Sequence, residues 1–519
     1  MVALQTSQNA ARAAADLRDS VRIKPCFAQE AFNPRVFPDR VHLVPRRIVF
    51  QAGAVRVSGL RQREILAGTG GGPSSEDQGT MRGRVRAGTC ETGNCAGRGV
   101  AEWGIAGQCQ GRSGPPCCRV APTLLAKALK SLRSDPAGFP RRAGSALAER
   151  ARLEAFRLRG ARQGAVVHYG VHRNGNAGDT ALFAATRLLF DKQLGTQRWM
   201  KLPVRAAIQG ADVDRINARA KAVVVGGGGL IIPDSVAGSQ SGWQWNIALE
   251  DLKRLQVPLI LSAVGYNTFH GQSAFATRFA EHVTETVARS AFVGLRNTGS
   301  IRSLAAHLPE DLAGKLRFQP CPTTVLGKLL PRYAQDGTPG RHLSLNLAYD
   351  RAERRFEGGI EECITEIAQA ARHFAGQGWQ VSVALHDPRD RFFLPLLRNA
   401  GLTFRTVDLA HSPLPTILRF YRGVDLTLGM RGHGQMVPFG LGGMIFTLSS
   451  HPKMNYFLED IGRPEWGVDI RKPGFRDALI AGVESVIADP AATRTTIRAA
   501  QDRLWSIMEA NLQLCAPYF

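Results

Sequence analysis

The turn Leu428-Gly429-Met430-Arg431-Gly432-His433-Gly434-Gln435 sets an arginine and a histidine two residues apart among three glycines. It follows an apolar run, VDLTLGM (424–430), that reads as a buried strand, so both side chains can face one cleft. A guanidinium there would bind an anion, and an imidazole would shuttle a proton near neutral pH. A second arginine, Arg296, ends the apolar run AFVGLR (291–296) and opens Gly294-Leu295-Arg296-Asn297-Thr298-Gly299-Ser300. Charged groups are rarely buried unpaired, and arginine suits bidentate recognition of a carboxylate or phosphate. A salt bridge within the fold is the plainer alternative.

Two further turns could supply backbone rather than charge. In HRNGNAGDTAL (172–182), Asn176 and Gly178 permit a tight turn and Asp179 stands where a helix N-cap is expected. Capping alone would explain it, although free loop N–H groups could also receive an anion or sugar hydroxyls. Four glycines, Gly226 to Gly229, follow the run KAVVV and would let a ligand or a neighbouring segment approach the backbone closely. They fit neither a dinucleotide fingerprint nor a phosphate-binding P-loop, because no helix-opening GxGxxG and no Gly-Lys-Ser/Thr follows. Of Trp243 and Trp245 downstream, one is expected in the core, while an exposed one could stack on a sugar ring. Lys453 opens a further helix and could complete a cationic pocket or simply be solvated.

These loops need elements to hold them. From 164 onward short apolar runs alternate with amphipathic stretches, as a parallel sheet covered on both faces requires. Strands are predicted at 165–170, 221–229, 257–265 and 291–296, with helices at about 179–190, 243–255 and 273–289. A Pro/Gly-rich stretch, roughly 320–340, separates a second series with strands at 342–348, 379–386, 403–409, 424–430 and 443–449. Its helices are predicted at about 359–377, 389–399, 413–421 and 434–440, and a long C-terminal helix at about 491–514. The fold class is therefore α/β, with two tandem doubly wound Rossmann-like domains and a hinge between them. In open sheets of this kind ligands bind beyond the carboxyl ends of the strands, which is where the four turns lie.

The chain has 519 residues and a net charge of +23, yet residues 1–164 carry 27 Lys+Arg against 12 Asp+Glu and the remainder only 39 against 31. Residues 1–120 lack periodicity, and 51–118 hold 16 glycines in 68 residues. Such a segment cannot bury enough apolar surface to fold. It is expected to be a disordered basic extension, or sequence added by a mis-assigned start. Residues 121–163 read as a basic helical lead-in, 164–325 as the first domain and 340–519 as the second. Six of nine cysteines fall in the first 164 residues at spacings that match no common zinc site, and no metal site is expected elsewhere. No apolar run reaches the roughly 18 residues of a membrane span, and the first 24 residues lack the apolar region of a secretory signal.

Taken in order, YG…GNAGD, VVVGGGG, GLRNTGS, the Arg-Gly-His turn with Pro438 and Gly440 beyond it, and SHPK…LEDIG (450–462) resemble the polysaccharide pyruvyltransferase family. The resemblance covers about residues 165–470. It implies a GT-B-type pair of Rossmann-like domains facing a cleft. It also implies transfer of the pyruvyl group of phosphoenolpyruvate to sugar hydroxyls as a ketal, in exopolysaccharide biosynthesis, with phosphoenolpyruvate as co-substrate and no other cofactor. On that reading His433 and Arg431 are catalytic. Arg296, Arg431, Lys453, Gly432 and Gly434 bind the donor, and Asn176, Gly178, Asp179, Gly227, Gly228 and Trp243 bind the acceptor. Gly432 stands where many members carry a bulky apolar residue, and Pro320-Cys321-Pro322-Thr323 stands where an Asp-Pro often closes the first domain.

The expected partners are phosphoenolpyruvate and a sugar or polysaccharide acceptor, which a lipid could carry. The expected location is cytoplasmic, with peripheral contact at the inner membrane face through the basic helix. One rival reading is a GT-B glycosyltransferase using a nucleotide-sugar donor, with Glu459 and Asp460 recruited to the donor. Another is a basic nucleic-acid-binding protein, against which the scattered N-terminal arginines with few aromatics between them argue.

Overall fold

The structure, a computed structural model, describes residues 139–519 apart from 172–174, 234–235, 237, 269–271, 273, 338–339 and 358. All the described residues belong to one compact unit. The expectations for the N-terminal extension, and for the lead-in before 139, lie outside the described residues.

A basic helix, α1 (Phe139–Arg159), leads in. The first domain then runs β1 (Ala165–Gly170), α2 (Ala177–Leu194), β2 (Trp199–Pro203), α3 (Gly210–Arg219), β3 (Ala220–Ile231), β4 (Leu259–Tyr266), α4 (Arg278–Arg289), β5 (Ser290–Leu295), α5 (Thr298–Ala305) and β6 (Leu316–Phe318). Its six strands are all parallel, in the order β2-β1-β3-β4-β5-β6. The second domain runs β7 (His342–Asn346), α6 (Ile360–Gly376), β8 (Gln380–Leu385), α7 (Phe393–Asn399), β9 (Arg405–Asp408), α8 (Leu414–Arg422), β10 (Leu426–Gly429), α9 (Gly432–Gly440), β11 (Met444–Ser449), α10 (Pro452–Asp460), β12 (Gly467–Asp469), α11 (Phe475–Ile487) and α12 (Pro490–Cys515). Its order, β12-β11-β10-β7-β8-β9, is again wholly parallel. This is the doubly wound pair predicted, in a GT-B-like arrangement. Each sheet has a switch point where the chain reverses its direction of travel, β1/β3 in the first and β7/β10 in the second.

Alternating residues explain why these strands are apolar throughout. Val166, Val224, Ile260 and Phe292 face one side of the first sheet and join a core continuous with the second domain. Val167, Val223, Val225 and Leu261 face the other side, with Phe156 of α1 and the indoles of Trp243 and Trp245. Both faces are buried, so no polar alternation survives. Small residues at four-residue spacing, Ala177, Ala181 and Ala185, put α2 into the shared core.

Several elements differ from the sequence reading. The four glycines do not form a turn but continue β3, and the irregularity comes instead as register shifts between Gly228 and Ile231 and between Leu261 and Val264. There Ala263 takes a left-handed φ of 53°, and such bulges redirect the ends of strands. The helix expected over 243–255 shrinks to the single turn Leu249–Lys253, because Trp243 and Trp245 are spent filling the core at 1% exposure. The short strands β2, β6 and β12 carried no pattern long enough to read. The C-terminal helix is not confined to the second domain: Asn511 Nδ2 donates to Phe318 O and Gln319 Oε1, both at 2.8 Å.

Between the sheets, α9 crosses the connecting segment 319–341 so closely that a Cβ on Gly440 would overlap the Thr323 carbonyl. Backbone cannot yield as a flexible side chain can. Gly440→Ala should therefore cost about 1–3 kcal/mol, read as a lowered urea midpoint; an unchanged midpoint would show that the crossing is loose.

Candidate active site

The carboxyl ends of both sheets open onto one cavity of about 170 Å³ lined from both domains. From the first domain, Asn176 rather than Asp179 caps α2: its Oδ1 accepts from the N–H groups of Gly178 (2.9 Å) and Asp179 (3.2 Å). That leaves the Asp179 carboxylate, in the first helical turn, on the cavity wall. Burial pushes it up to about 6; Arg205 and Arg431 oppose the shift, and Asp387 and Asp350 add to it. Arg296 reaches the cavity across Gly265, where a Cβ would collide with its guanidinium. Its Nη2 donates to Asn267 Oδ1 at 2.8 Å, and its buried Nε has no hydrogen-bond partner among the described residues. Those residues also offer it no ion-pair partner, and burial lowers its pKa.

From the second domain come Arg431, the N-cap of α9, and then Gly432 and His433 in its first turn. Arg431 is already engaged. Its Nη2 and Nε meet the two oxygens of Asp390 at 2.5 and 3.1 Å, and its Nη1 lies 2.6 Å from Asp350 Oδ1. Asp350 also takes Arg355 Nη2 at 3.0 Å. Against the upward pull of burial, Arg431 and Arg355 hold the Asp350 carboxyl well below its ordinary range. Asp390 additionally accepts from the backbone N–H groups of Tyr349, His386 and Asp387. His386 lines the cavity with its Nε2 against Tyr421 Oη at 2.6 Å; burial first, then Arg431 and His433, lower it to about 3, so it is a neutral imidazole at pH 7.

The two loops meet at a glycine. A Cβ on Gly178 would overlap His433 Cβ, Cγ and Nδ1, so only glycine lets α2 and α9 bring their N-termini together. His433 Nε2 lies 3.7 Å from Cys321 Sγ. Burial pushes that thiol up, so it is a poor thiolate nucleophile. Among the described residues the Arg431 side chain makes no capping hydrogen bond to the first turn of α9, whose positive dipole end faces the cavity. Among the described residues no atom lies within 4 Å of the position a Gly432 Cβ would take, so the glycine leaves that part of the cavity wall open.

Of the residues singled out by sequence, Asn176, Asp179, Arg296, Arg431, Gly432 and His433 all line this cavity. Four readings are corrected. Trp243 is core, its Nε1 donating to His282 Nδ1 at 3.1 Å, and it cannot stack on a sugar. Gly227 is covered by Leu182, and it is Gly229, not Gly227 or Gly228, that borders the cavity. Gly434 serves a close approach of α9 to Asn346 rather than ligand contact. Arg431 is a tethered strut, not an open anion clamp. The Lys453 side chain lies outside the described residues. The acids of the nucleotide-sugar reading are engaged between the domains: Asp460 Oδ1 accepts from Thr298 Oγ1 at 2.7 Å, and Glu459 meets Arg302 at 3.4 Å. Sequence reasoning missed Asp350, Arg355, Asn267, His386 and Asp390. The His386-Asp387-Pro388-Arg389-Asp390 run after β8, a capping box, was the available signal for the last pair. Among the described residues no three His, Cys, Asp or Glu side chains are placed to hold a metal ion.

A family model described as polysaccharide pyruvyl transferase matches residues 173–443, more than half of the chain. The chain belongs to that family. This pyruvyl transferase family member has no match among curated proteins. Solved structures it is similar to include the UDP-GlcNAc 2-epimerase of Neisseria meningitidis bound to UDP-GlcNAc, at 13% identity and a TM-score of 0.43, covering 69% of this chain and 99% of that one. A glycosyltransferase from Rickettsia africae gives 11% identity and a TM-score of 0.42, covering 69% of this chain and 97% of that one. The sheet orders, not these distant likenesses, carry the fold.

The position of Asp179 predicts a pH effect in this pyruvyl transferase family member. Its folded pKa, about 6, lies above the ordinary 3.8, so the folded state holds the proton more tightly. Stability is lost as pH rises from about 4 to about 6, and the cost is complete above that. Asp179→Asn should raise Tm at pH 7, and the gain should shrink towards zero below about pH 4. A gain that does not vary between pH 4 and 7 would contradict the assignment.

Proposed function

We propose that the cavity transfers the pyruvyl group of phosphoenolpyruvate to two hydroxyls of a sugar acceptor, forming a ketal and releasing phosphate. The observation that carries this reading is Arg296, a buried-strand arginine at the cavity with no carboxylate bound to it among the described residues. It lies across from the uncapped N-terminus of α9, within the span that matches the family. Together they offer two anion sites for a ligand bearing a carboxylate and a phosphate. Arg431 acts by holding Asp350 and the Asp390 loop in place.

The balance of the reaction assigns the protons. One acceptor O–H proton ends on the methylene carbon, which becomes the ketal methyl. The other leaves with the phosphate as both new C–O bonds form and the C–O bond to phosphate breaks. His433 and Asp179, joined at Gly178, are the groups on this wall suited to that exchange, an imidazole and a carboxyl raised to about 6. The acceptor enters from the first domain, past Asn176 and Asp179.

Thermal unfolding of the full chain with phosphoenolpyruvate, phosphate, UDP or UDP-sugars tests the donor. A ligand at 100 times its Kd adds about 2.7 kcal/mol, a clear shift. Phosphoenolpyruvate should raise Tm, and Arg296→Gln should abolish the shift. His433→Ala should keep the shift while ketal formation falls by about 10² to 10⁴. A shift with a UDP-sugar and none with phosphoenolpyruvate would overturn the proposal.

A further inference from the structure

Helix α1 touches the first domain along one side only. Phe156 is buried and Leu153 half-buried against the first sheet, and Arg157 pairs with the buried Asp212 at 3.1 Å. The opposite side carries a second apolar stripe. Leu147, Ala151, Ala155 and Leu158 recur at helical spacing, all exposed, with Leu147 at 68% and Leu158 at 85%. They are two of four large hydrophobics exposed among the described residues, and a single helix carries both.

The stripe is bordered by cations. Arg150 flanks it on one side and Arg152 and Arg159 on the other, all exposed, and residues 139–162 hold seven arginines against two glutamates. Glu154, the carboxylate at the border, lies 3.9 Å from Arg157. The charge continues on to the edge strand. Burial lowers the pKa of the Lys201 ammonium on β2, and Arg187 and Arg152 lower it further, so the Arg152 charge reaches the edge strand. An exposed apolar stripe between arginines is built for a surface that is apolar below and anionic above, the interface of an acidic bilayer.

The helix also has a defined relation to the chemistry. Its first half and the loops leaving β1 and β2 line a largely apolar groove of about 270 Å³ containing Val171 and Arg205. That groove lies at the carboxyl end of the first sheet, as the cavity does, and Arg205 acts electrostatically on Asp179.

We infer that α1 is a membrane-surface helix: it lays Leu147 and Leu158 into an anionic lipid interface and sets the acceptor side of the cleft at the bilayer. This does not rest on the donor being phosphoenolpyruvate.

The test is flotation of the full chain with phosphatidylglycerol/phosphatidylethanolamine vesicles, compared with phosphatidylcholine vesicles, at low and high salt. Wild type should float with the anionic vesicles and lose most of its binding at high salt. L147E/L158E should reduce the bound fraction at least tenfold at unchanged Tm. R150Q/R152Q/R159Q should weaken binding to the anionic vesicles and remove its salt dependence. The inference is overturned if wild type does not float, if it binds phosphatidylcholine equally, or if L147E/L158E floats like wild type. The last outcome would assign binding to the basic residues before 139 instead.

Discussion

The site depends on one buried charge cluster, Arg431 held between Asp390 and Asp350. Taking these ions out of water is costly, and the cost is offset only because almost every polar atom finds a partner. Asp390 takes three backbone N–H groups as well as the guanidinium, and Asp350 is shared with Arg355. The cluster ties together the loops leaving β7, β8 and β10, three neighbouring strand ends at the second switch point. It therefore fixes where α9 begins, and with it the direction of His433. Three of the five N–H donors of Arg431 are committed to these carboxylates, which leaves two for any substrate anion.

The first domain meets this cluster through contacts that tolerate no side chain. Gly178 gives His433 its place, Gly265 gives Arg296 its path, and Gly440 admits the connecting segment beneath α9. The Ala177 N–H donates to the His386 carbonyl at 2.9 Å, so the first turn of α2 is held by the strand end that carries Asp390. Two helix N-termini with positive dipole ends thus face one small cavity. The Asn176 side chain caps one of them, and the Arg431 side chain does not cap the other.

Much of this was legible in sequence because parallel strands buried on both faces are continuous apolar runs. Both halves and their order followed from that pattern. Arg296 was found because a charged group at the end of such a run has no packing explanation, and His433 and Asp179 because each stands in a glycine-bearing turn at a strand end. What stayed hidden was pairing. Nothing local to Arg431 says that Asp390, 41 residues away, already holds it, and nothing local to Trp243 says that His282 takes its N–H. The glycine run misled for a related reason. Glycine permits turns and also close approach, and only the neighbouring strand decides between them.

Pairing also governs how the cavity handles protons. With Arg431 and Arg355 matched to Asp390 and Asp350, Arg296 and the end of α9 hold the uncompensated positive potential, and Asp179 is the carboxyl facing them. The charges that draw the Asp179 proton away are Arg205 and Arg431, and a polyanion bound in the cavity beside them would oppose that pull and raise its pKa further. On the proposed reading, binding of an anionic donor and protonation of Asp179 would then be coupled in the favourable sense. On the proposed reading, departure of phosphate would reverse that bias and return Asp179 to a base. A site whose charges balanced without ligand would lack that response, which is a physical reason to leave one arginine unpaired while its neighbour is paired twice.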